Sequence, residues 1–217
     1  MKADAQILLK NGLWVEYASL AWMTVECAVS IYSGLAVWSL ALLAFGGDSV
    51  IELLSSFAVV RHLRETARTP TPDTHDDRQT EWVTAILLIS LIPIIGLGAI
   101  YSILVGIKPE ASLLGIGVAS FAVVIMPILY YQKKRIGKLC NCLPLEIDAA
   151  ESATCFLMSI ALLVGLLINY FLILPWIDYV VTFIILIFVA REATHSIREV
   201  SGKRHQVTGS SKTNRGV

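Results

Sequence analysis

Apolar residues along this chain gather into runs long enough to cross a lipid bilayer. A hydrocarbon core about 30 Å thick needs roughly 20 apolar residues in one helix, and six runs approach or exceed that length. The predicted spans are residues 13–34, 37–60, 82–106, 111–131, 146–170 and 174–191. The pattern therefore predicts an all-α membrane protein built as a bundle of six transmembrane helices.

Polar segments separate these spans. A short turn near Ser33 and Gly34 predicts that the first two spans form an antiparallel hairpin. The segment from Arg61 to Thr80 carries two prolines and no apolar periodicity, so we expect an exposed loop there. The predicted divisions are a cytoplasmic N-terminal segment, 1–12, a six-helix transmembrane domain, 13–200, and a polar tail expected to be disordered, 201–217.

Composition and charge agree with this membrane assignment. Hydrophobic residues make up 56% of the 217 residues and charged residues 16%, which is more apolar surface than a soluble domain can bury. Of the 17 lysines and arginines, all except Lys108 fall on one side of the predicted spans. Basic residues favour the cytoplasmic side, so both termini are expected in the cytoplasm and the protein in the cell membrane. The four cysteines lack a secreted disulfide spacing, so we expect free thiols.

Two acidic residues interrupt the second span. Asp48 and Glu52 are four residues apart, which places them on one face of a helix. One ionisable residue at bilayer depth costs on the order of 3 kcal/mol on insertion scales. Such a pair is therefore expected to bind a ligand, and the alternative is a buried polar network with nearby serines.

The fifth span offers a matching pair, Glu151 and Cys155, also four residues apart. The second and fifth spans are antiparallel, so counting from their cytoplasmic ends sets Glu52 level with Glu151 and Asp48 level with Cys155. Carboxylates and a thiol together in an apolar site need protons or a cation to neutralise them. Zinc accepts sulfur and carboxylate ligands, and manganese, iron or cobalt use the same groups with water added.

Other residues are weaker candidates for this metal site. Asp148 is interpreted as a helix N-cap, with metal binding as the alternative. Glu26, a lone acid in the first span, is either a proton carrier or outer partner of the site, or a hydrogen-bond partner of a neighbouring helix. Cys155 also has a packing interpretation. The pair Cys140 and Cys142 is a weak metal motif in a segment expected to be an ordinary loop.

These residues resemble the motifs of the cation diffusion facilitator family of divalent-metal/proton antiporters. That family has the pattern D-x-x-x-D on its second helix and H/D-x-x-x-D on its fifth. Here the stretches GDSVIELLSS, beginning at Gly47, and DAAESATC, beginning at Asp148, resemble the two patterns, with Glu52, Glu151 and Cys155 as the substituted positions. The stretch from Trp176 to Asp178 is similar to the family's Trp-x-Asp at the start of the sixth helix.

The resemblance implies a six-helix domain with cytoplasmic termini, a metal site at Asp48, Glu52, Glu151 and Cys155, and a homodimer by analogy. The family's soluble C-terminal domain is expected to be absent, because only a polar tail follows Arg191. None of the four histidines falls within a predicted span.

The sequence thus predicts a secondary transporter that exports a divalent transition metal, zinc first and manganese, iron or cobalt next, in exchange for protons. Lipid and the cation are the expected partners, and no nucleic acid is expected. The alternative is a membrane-embedded metal-binding or scaffold protein that does not transport. Enzymatic activity is not expected, since no Ser/His or His-Glu-x-x-His arrangement falls within a span.

Overall fold

The computed structural model describes the backbone of residues 2–68, 75–140 and 142–194, and every regular element there is an α-helix. The sixth helix, α6, begins at residue 177 and continues to residue 194, where the described part ends. The predicted all-α class is confirmed. The other helices are α1 (Lys2–Val37), α2 (Leu40–Arg68), α3 (His75–Val105), α4 (Leu113–Cys140) and α5 (Leu143–Leu172).

Four described helices are long and apolar enough to cross a membrane: Ile7–Val37, Leu40–Glu65, Leu113–Cys140 and Pro144–Leu172. They correspond to the first, second, fourth and fifth predicted spans. The third predicted span corresponds to α3, whose described apolar part is the shorter Ile89–Val105, and the sixth corresponds to α6. Length and composition thus support four of the six spans in full.

The helices extend beyond several predicted boundaries. Most of the expected loop from Arg61 to Thr80 is helical, because α2 continues to Arg68 and α3 begins at His75. Polar residues such as Arg and Glu are good helix formers, so a span can continue as helix after it leaves the apolar region. The first turn lies at Trp38 and Ser39 rather than near Gly34. The predicted tail, 201–217, lies outside the described residues.

Asp178 at the start of α6 caps the start of α2. Its Oδ2 accepts a hydrogen bond from the backbone N–H of Leu40 at 3.0 Å, and its Oδ1 accepts one from Ser39 Oγ at 2.5 Å. The first N–H groups of a helix have no partner within the helix, and a carboxylate there also meets the positive end of the helix dipole. The aspartate of the Trp-x-Asp sequence therefore fastens α6 to the helix that carries Asp48 and Glu52.

A glycine allows α1 and α2 to approach closely. A Cβ atom added to Gly46 would lie 2.8 Å from Ile31 Cγ1 and 3.1 Å from the backbone nitrogen of Ile31. Because Gly46 precedes Asp48 by two residues, this contact lies within one turn of the acidic pair. The face of α1 that meets α2 thus lies beside the predicted metal site.

The buried face of α1 is polar over most of its length. Its members recur at alternating spacings of three and four residues, which is the signature of one helix face, and each is at most 1% exposed: Glu16, Ser19, Met23, Glu26, Ser30 and Ser33. Buried polar groups are stable only when they find partners. This face therefore requires polar groups or a ligand from the helices opposite.

Apolar contacts surround that polar face. The larger apolar cluster includes Met23, Phe45, Met126 and Met158. A second cluster lies where α2 and α4 end and α5 begins, which we call the inner end of the bundle. Its buried members are Val59, Leu63, Ile136, Cys142 and Leu145.

Candidate metal centre

Three buried side chains from three helices converge inside the bundle. Glu26 of α1, Glu52 of α2 and Cys155 of α5 each offer a ligand atom, and these atoms all lie within 4.8 Å of one another. The three residues are at most 3% exposed. We call this group the metal centre. Glu52 and Cys155 are two of the four ligands predicted from the sequence, and Glu26 is one of the two weaker candidates.

Glu26 is held in place by hydrogen bonds from three helices. Trp22 Nε1, one turn away on α1, donates to its Oε2 at 2.7 Å, and Ser49 Oγ of α2 donates to its Oε1 at 2.7 Å. Cys155 Sγ of α5 donates to the same Oε1 at 3.5 Å. Glu26 does therefore bond to neighbouring helices, as one of its two interpretations expected, and those bonds also place its carboxylate beside Glu52 and Cys155.

Asp48 and Glu52 are buried without hydrogen-bond partners among the described residues. They are 1% and 3% exposed, and none of their four carboxylate oxygens accepts a hydrogen bond from any described residue. The Asp48 carboxylate also interacts with that of Glu26 by charge repulsion. Buried carboxylates without partners are costly, so these oxygens indicate a place for a cation or for protons. The alternative of a network with nearby serines does not account for these two side chains.

Glu151 lies at the edge of this group. Its Oε2 is buried without a hydrogen-bond partner among the described residues, and its carboxylate interacts by charge with that of Asp48. Glu151 is the ninth residue of α5, so it lies inside the helix and not in the first turn, where acidic residues are favoured by the helix dipole. All four sequence-predicted ligands thus belong to one electrostatically connected cluster.

Glu192 of α6 joins the cluster and was missed by the sequence analysis. Its Oε2 is buried without a hydrogen-bond partner in the described part of the chain, and its carboxylate interacts by charge with those of Asp48 and Glu151. The sixth span was predicted to end at residue 191, whereas α6 is described as helical to residue 194. The spacing of buried Ile185 and Val189 continues to Glu192, so extending the helix by one turn would have placed Glu192 on the inward face.

Asp148 faces a different partner. Helix α5 begins at Leu143 with Cys142 as its N-cap, so the interpretation of Asp148 as the cap is wrong. Its carboxylate forms an ion pair with Lys133 of α4, and its Oδ1 accepts a hydrogen bond from Ser56 Oγ at 2.8 Å. Lys133 lies beyond residue 131, where the fourth span was predicted to end, but α4 continues for seven residues after Lys133 and the side chain is 0% exposed. A buried lysine adjoining the metal centre was therefore also missed.

The two cysteines near the inner end, Cys140 and Cys142, belong to the inner apolar cluster or pack against it. All four cysteines are free, as expected. Burial raises the pKa of the Cys142 thiol to about 11. Cys142 is therefore a protonated thiol at neutral pH when no metal is bound, and it packs in the inner apolar cluster.

Comparison with known proteins identifies the family of the chain. The profile of the cation efflux transmembrane domain matches residues 17–202. The chain is also 26% identical over 198 residues to the manganese efflux system protein MneS of Bacillus subtilis (strain 168), covering 89% of this chain and 68% of that protein. A membrane-embedded cluster of carboxylates and one thiol, within a profile match over most of the chain, identifies the family: the chain belongs to the cation efflux family.

Proposed function

We propose that the protein exports a divalent metal cation from the cytoplasm, with manganese as the favoured cation and protons as the counter-ion. The observation that carries this proposal is the pair Asp48 and Glu52. Their four carboxylate oxygens are buried close to Glu26 and Cys155 and accept no hydrogen bond from any described residue. A cation is the partner that such oxygens lack.

The donor set supports manganese over zinc. Oxygen is the donor atom of Glu26, Glu52, Asp48 and Glu151, and Cys155 supplies one sulfur. Oxygen-rich sites suit manganese, whereas zinc prefers sites richer in sulfur and imidazole. The relative named for manganese efflux supports the same choice. Zinc, the first expectation from the sequence, becomes the competing cation in the test below.

The contacts of Cys155 support exchange with protons. Its Sγ donates to Glu26 Oε1, so its thiol proton occupies the space between two candidate ligands. A metal that binds there displaces that proton, because metal ligands must be deprotonated. Alternating access of one site that holds either protons or a dication couples the two fluxes. The excess of basic residues at the inner end supports a cytoplasmic location for that end.

Transport by purified protein in sealed proteoliposomes tests this proposal. We expect Mn²⁺ uptake that accelerates when the lumen is made acidic, because luminal protons leave as the cation enters. Glu52→Gln should reduce uptake about tenfold or more, as expected for loss of a metal ligand. The matched control is Glu110→Gln, which removes the same charge at an exposed position between α3 and α4.

Two results would contradict the proposal. Uptake by folded Glu52→Gln protein at the wild-type rate would remove the metal centre from the transport route. Mn²⁺ binding without uptake by wild-type protein would favour the alternative, a membrane-embedded metal-binding protein that does not transport.

A further inference from the structure

A second set of buried charges lies between the metal centre and the inner end. Glu16 of α1, Lys133 of α4 and Asp148 of α5 are 0%, 0% and 1% exposed. Lys133 Nζ forms an ion pair with Asp148 and lies 3.7 Å from Glu16 Oε2. Two carboxylates therefore share one ammonium group, and the set keeps one uncompensated negative charge when all three are ionised.

The Glu16 carboxylate is the unsatisfied member of this set. Neither oxygen of Glu16 accepts a hydrogen bond from any described residue. Both oxygens of Asp148 have a partner, because Oδ1 accepts from Ser56 Oγ and Oδ2 lies against Lys133 Nζ in the ion pair. A lysine ammonium is a compact point charge on a flexible stem. Lys133 thus pairs closely with Asp148 and supplies charge to Glu16 from 3.7 Å without donating a hydrogen bond to it.

The same helix faces carry both this set and the metal centre. On α5, Asp148, Glu151 and Cys155 follow one another at spacings of three and four residues, so they form one row. The seven residues from Asp148 to Cys155 rise by about 10 Å. On α1, Glu16 and Glu26 belong to the single buried face described above. A cation moving along these faces from the inner end would meet Glu16 and Asp148 first.

Oxygen and sulfur atoms lie between this set of charges and the metal centre. Ser56 Oγ donates to Asp148 Oδ1 and also lies 3.7 Å from Met23 Sδ. Ser19 Oγ lies 3.8 Å from the same sulfur. Met23 is three residues before Glu26. The side chains of Ser19, Met23 and Ser56 therefore lie between the carboxylates of Glu16 and Asp148 and the metal centre. Each of them can act as a weak ligand to a passing cation.

We propose that Glu16 and Asp148 form a second divalent-cation site, the inner site, and that the Lys133 ammonium occupies it when no cation is bound there. An arriving dication displaces Lys133, binds the two carboxylates and then moves along Ser56 and Met23 to the metal centre. The role of the inner site as a step in transport rests on the proposed function, whereas its capacity to bind a cation does not.

Replacing Lys133, whose ammonium occupies the inner site, should allow a metal ion to bind there. In protein carrying Asp48→Asn and Glu52→Gln, adding Lys133→Met should allow one more Mn²⁺ per chain to bind, measured by electron paramagnetic resonance of free Mn²⁺. Adding Glu16→Gln should abolish this gain. The matched control, Lys138→Met, removes an exposed lysine from the same helix and should produce no gain. Folded Lys133→Met protein that binds no additional Mn²⁺ would overturn the inner site.

A second variant covers the case in which Lys133→Met fails to fold, since breaking a buried ion pair is strongly destabilising. Glu16→Gln in otherwise wild-type protein keeps the Lys133–Asp148 pair neutral. We expect a severalfold increase in the Mn²⁺ concentration that half-saturates uptake. An unchanged value would overturn the inner site while leaving the metal centre in place. Absence of uptake by wild-type protein would instead contradict the proposed function, and the binding measurement would still decide the inner site.

Discussion

Cys155 supplies the single sulfur among the three ligand atoms of the metal centre, and its thiol donates to Glu26. It occupies the position where the cation diffusion facilitator pattern has aspartate. A thiolate is a softer ligand than a carboxylate and favours zinc over manganese. Cys155 is therefore the residue most able to shift the balance between the two metals.

Substitution of Cys155 should change metal preference in a defined direction. Cys155→Asp makes the centre all-oxygen, so we expect a lower zinc-to-manganese uptake ratio than in wild type. Cys155→Ser should weaken zinc uptake more than manganese uptake, because zinc loses its preferred sulfur. Competition uptake of the two metals by proteoliposomes measures both ratios. The same preference in all three proteins would mean that Cys155 packs in the core rather than binding the metal.

Among the elements, the contact of α1 with α2 decides whether Glu26 can reach Glu52. Gly46 makes that contact possible, because a Cβ atom there would meet both the side chain and the backbone of Ile31. The two helices also form an antiparallel hairpin through the turn at Trp38 and Ser39. A change at Gly46 therefore separates the ligands of the metal centre without altering any of them.

We expect Gly46→Ala to destabilise the protein by about 1–3 kcal/mol, the range for overpacking a close contact, and to weaken Mn²⁺ binding. The control is Gly117→Ala in α4, where an added Cβ meets nothing within 4 Å. That substitution should be neutral or slightly stabilising, since alanine favours helix over glycine. Thermal unfolding and Mn²⁺ titration of both variants provide the measurement. Equal free energies of unfolding for the two variants would show that α1 and α2 can move apart without loss of stability.

The positions of the helices could be predicted from the sequence more accurately than the residues on their buried faces and the residues at which they end. Spacing within a helix is local, so the pairs on α2 and α5 were visible without a structure. Glu26 acquires its place from contacts with Ser49 and Cys155, which no local pattern contains. Lys133 was misplaced because three consecutive basic residues suggested a loop, although Met126, Leu129, Lys133 and Ile136 share one buried helix face.

At the scale of the whole molecule, the direction of transport depends on which end of the bundle faces the cytoplasm. Cys140 lies at the inner end and is half-buried. Cys142 beside it is buried, and its pKa of about 11 keeps it unreactive near neutral pH. Cys155 is buried in the bundle and Cys27 lies within the span Ile7–Val37. An impermeant thiol reagent should therefore report on Cys140.

We expect an impermeant maleimide to label Cys140 in inverted membrane vesicles and not in sealed vesicles of native orientation. Cys140→Ala should abolish this labelling. Lys108→Cys in the Cys140→Ala background, which places a thiol at the opposite end, should show the reverse pattern. Labelling of Cys140 from outside would place the inner end away from the cytoplasm and reverse the proposed direction of export.

The hydrogen bond from Trp22 to Glu26 makes the fluorescence of Trp22 a probe of the metal centre. An indole N–H that donates to a carboxylate senses the charge on that carboxylate, and a dication bound by Glu26 would withdraw electron density from the bond. The fluorescence of Trp22 therefore reports occupancy of the metal centre without any attached dye. The chain has four other tryptophans, and comparison with Trp22→Phe separates the emission of Trp22 from theirs. With a diamagnetic cation, the kinetics of each filling and emptying of the centre can then be followed by light emitted from a residue one helical turn away.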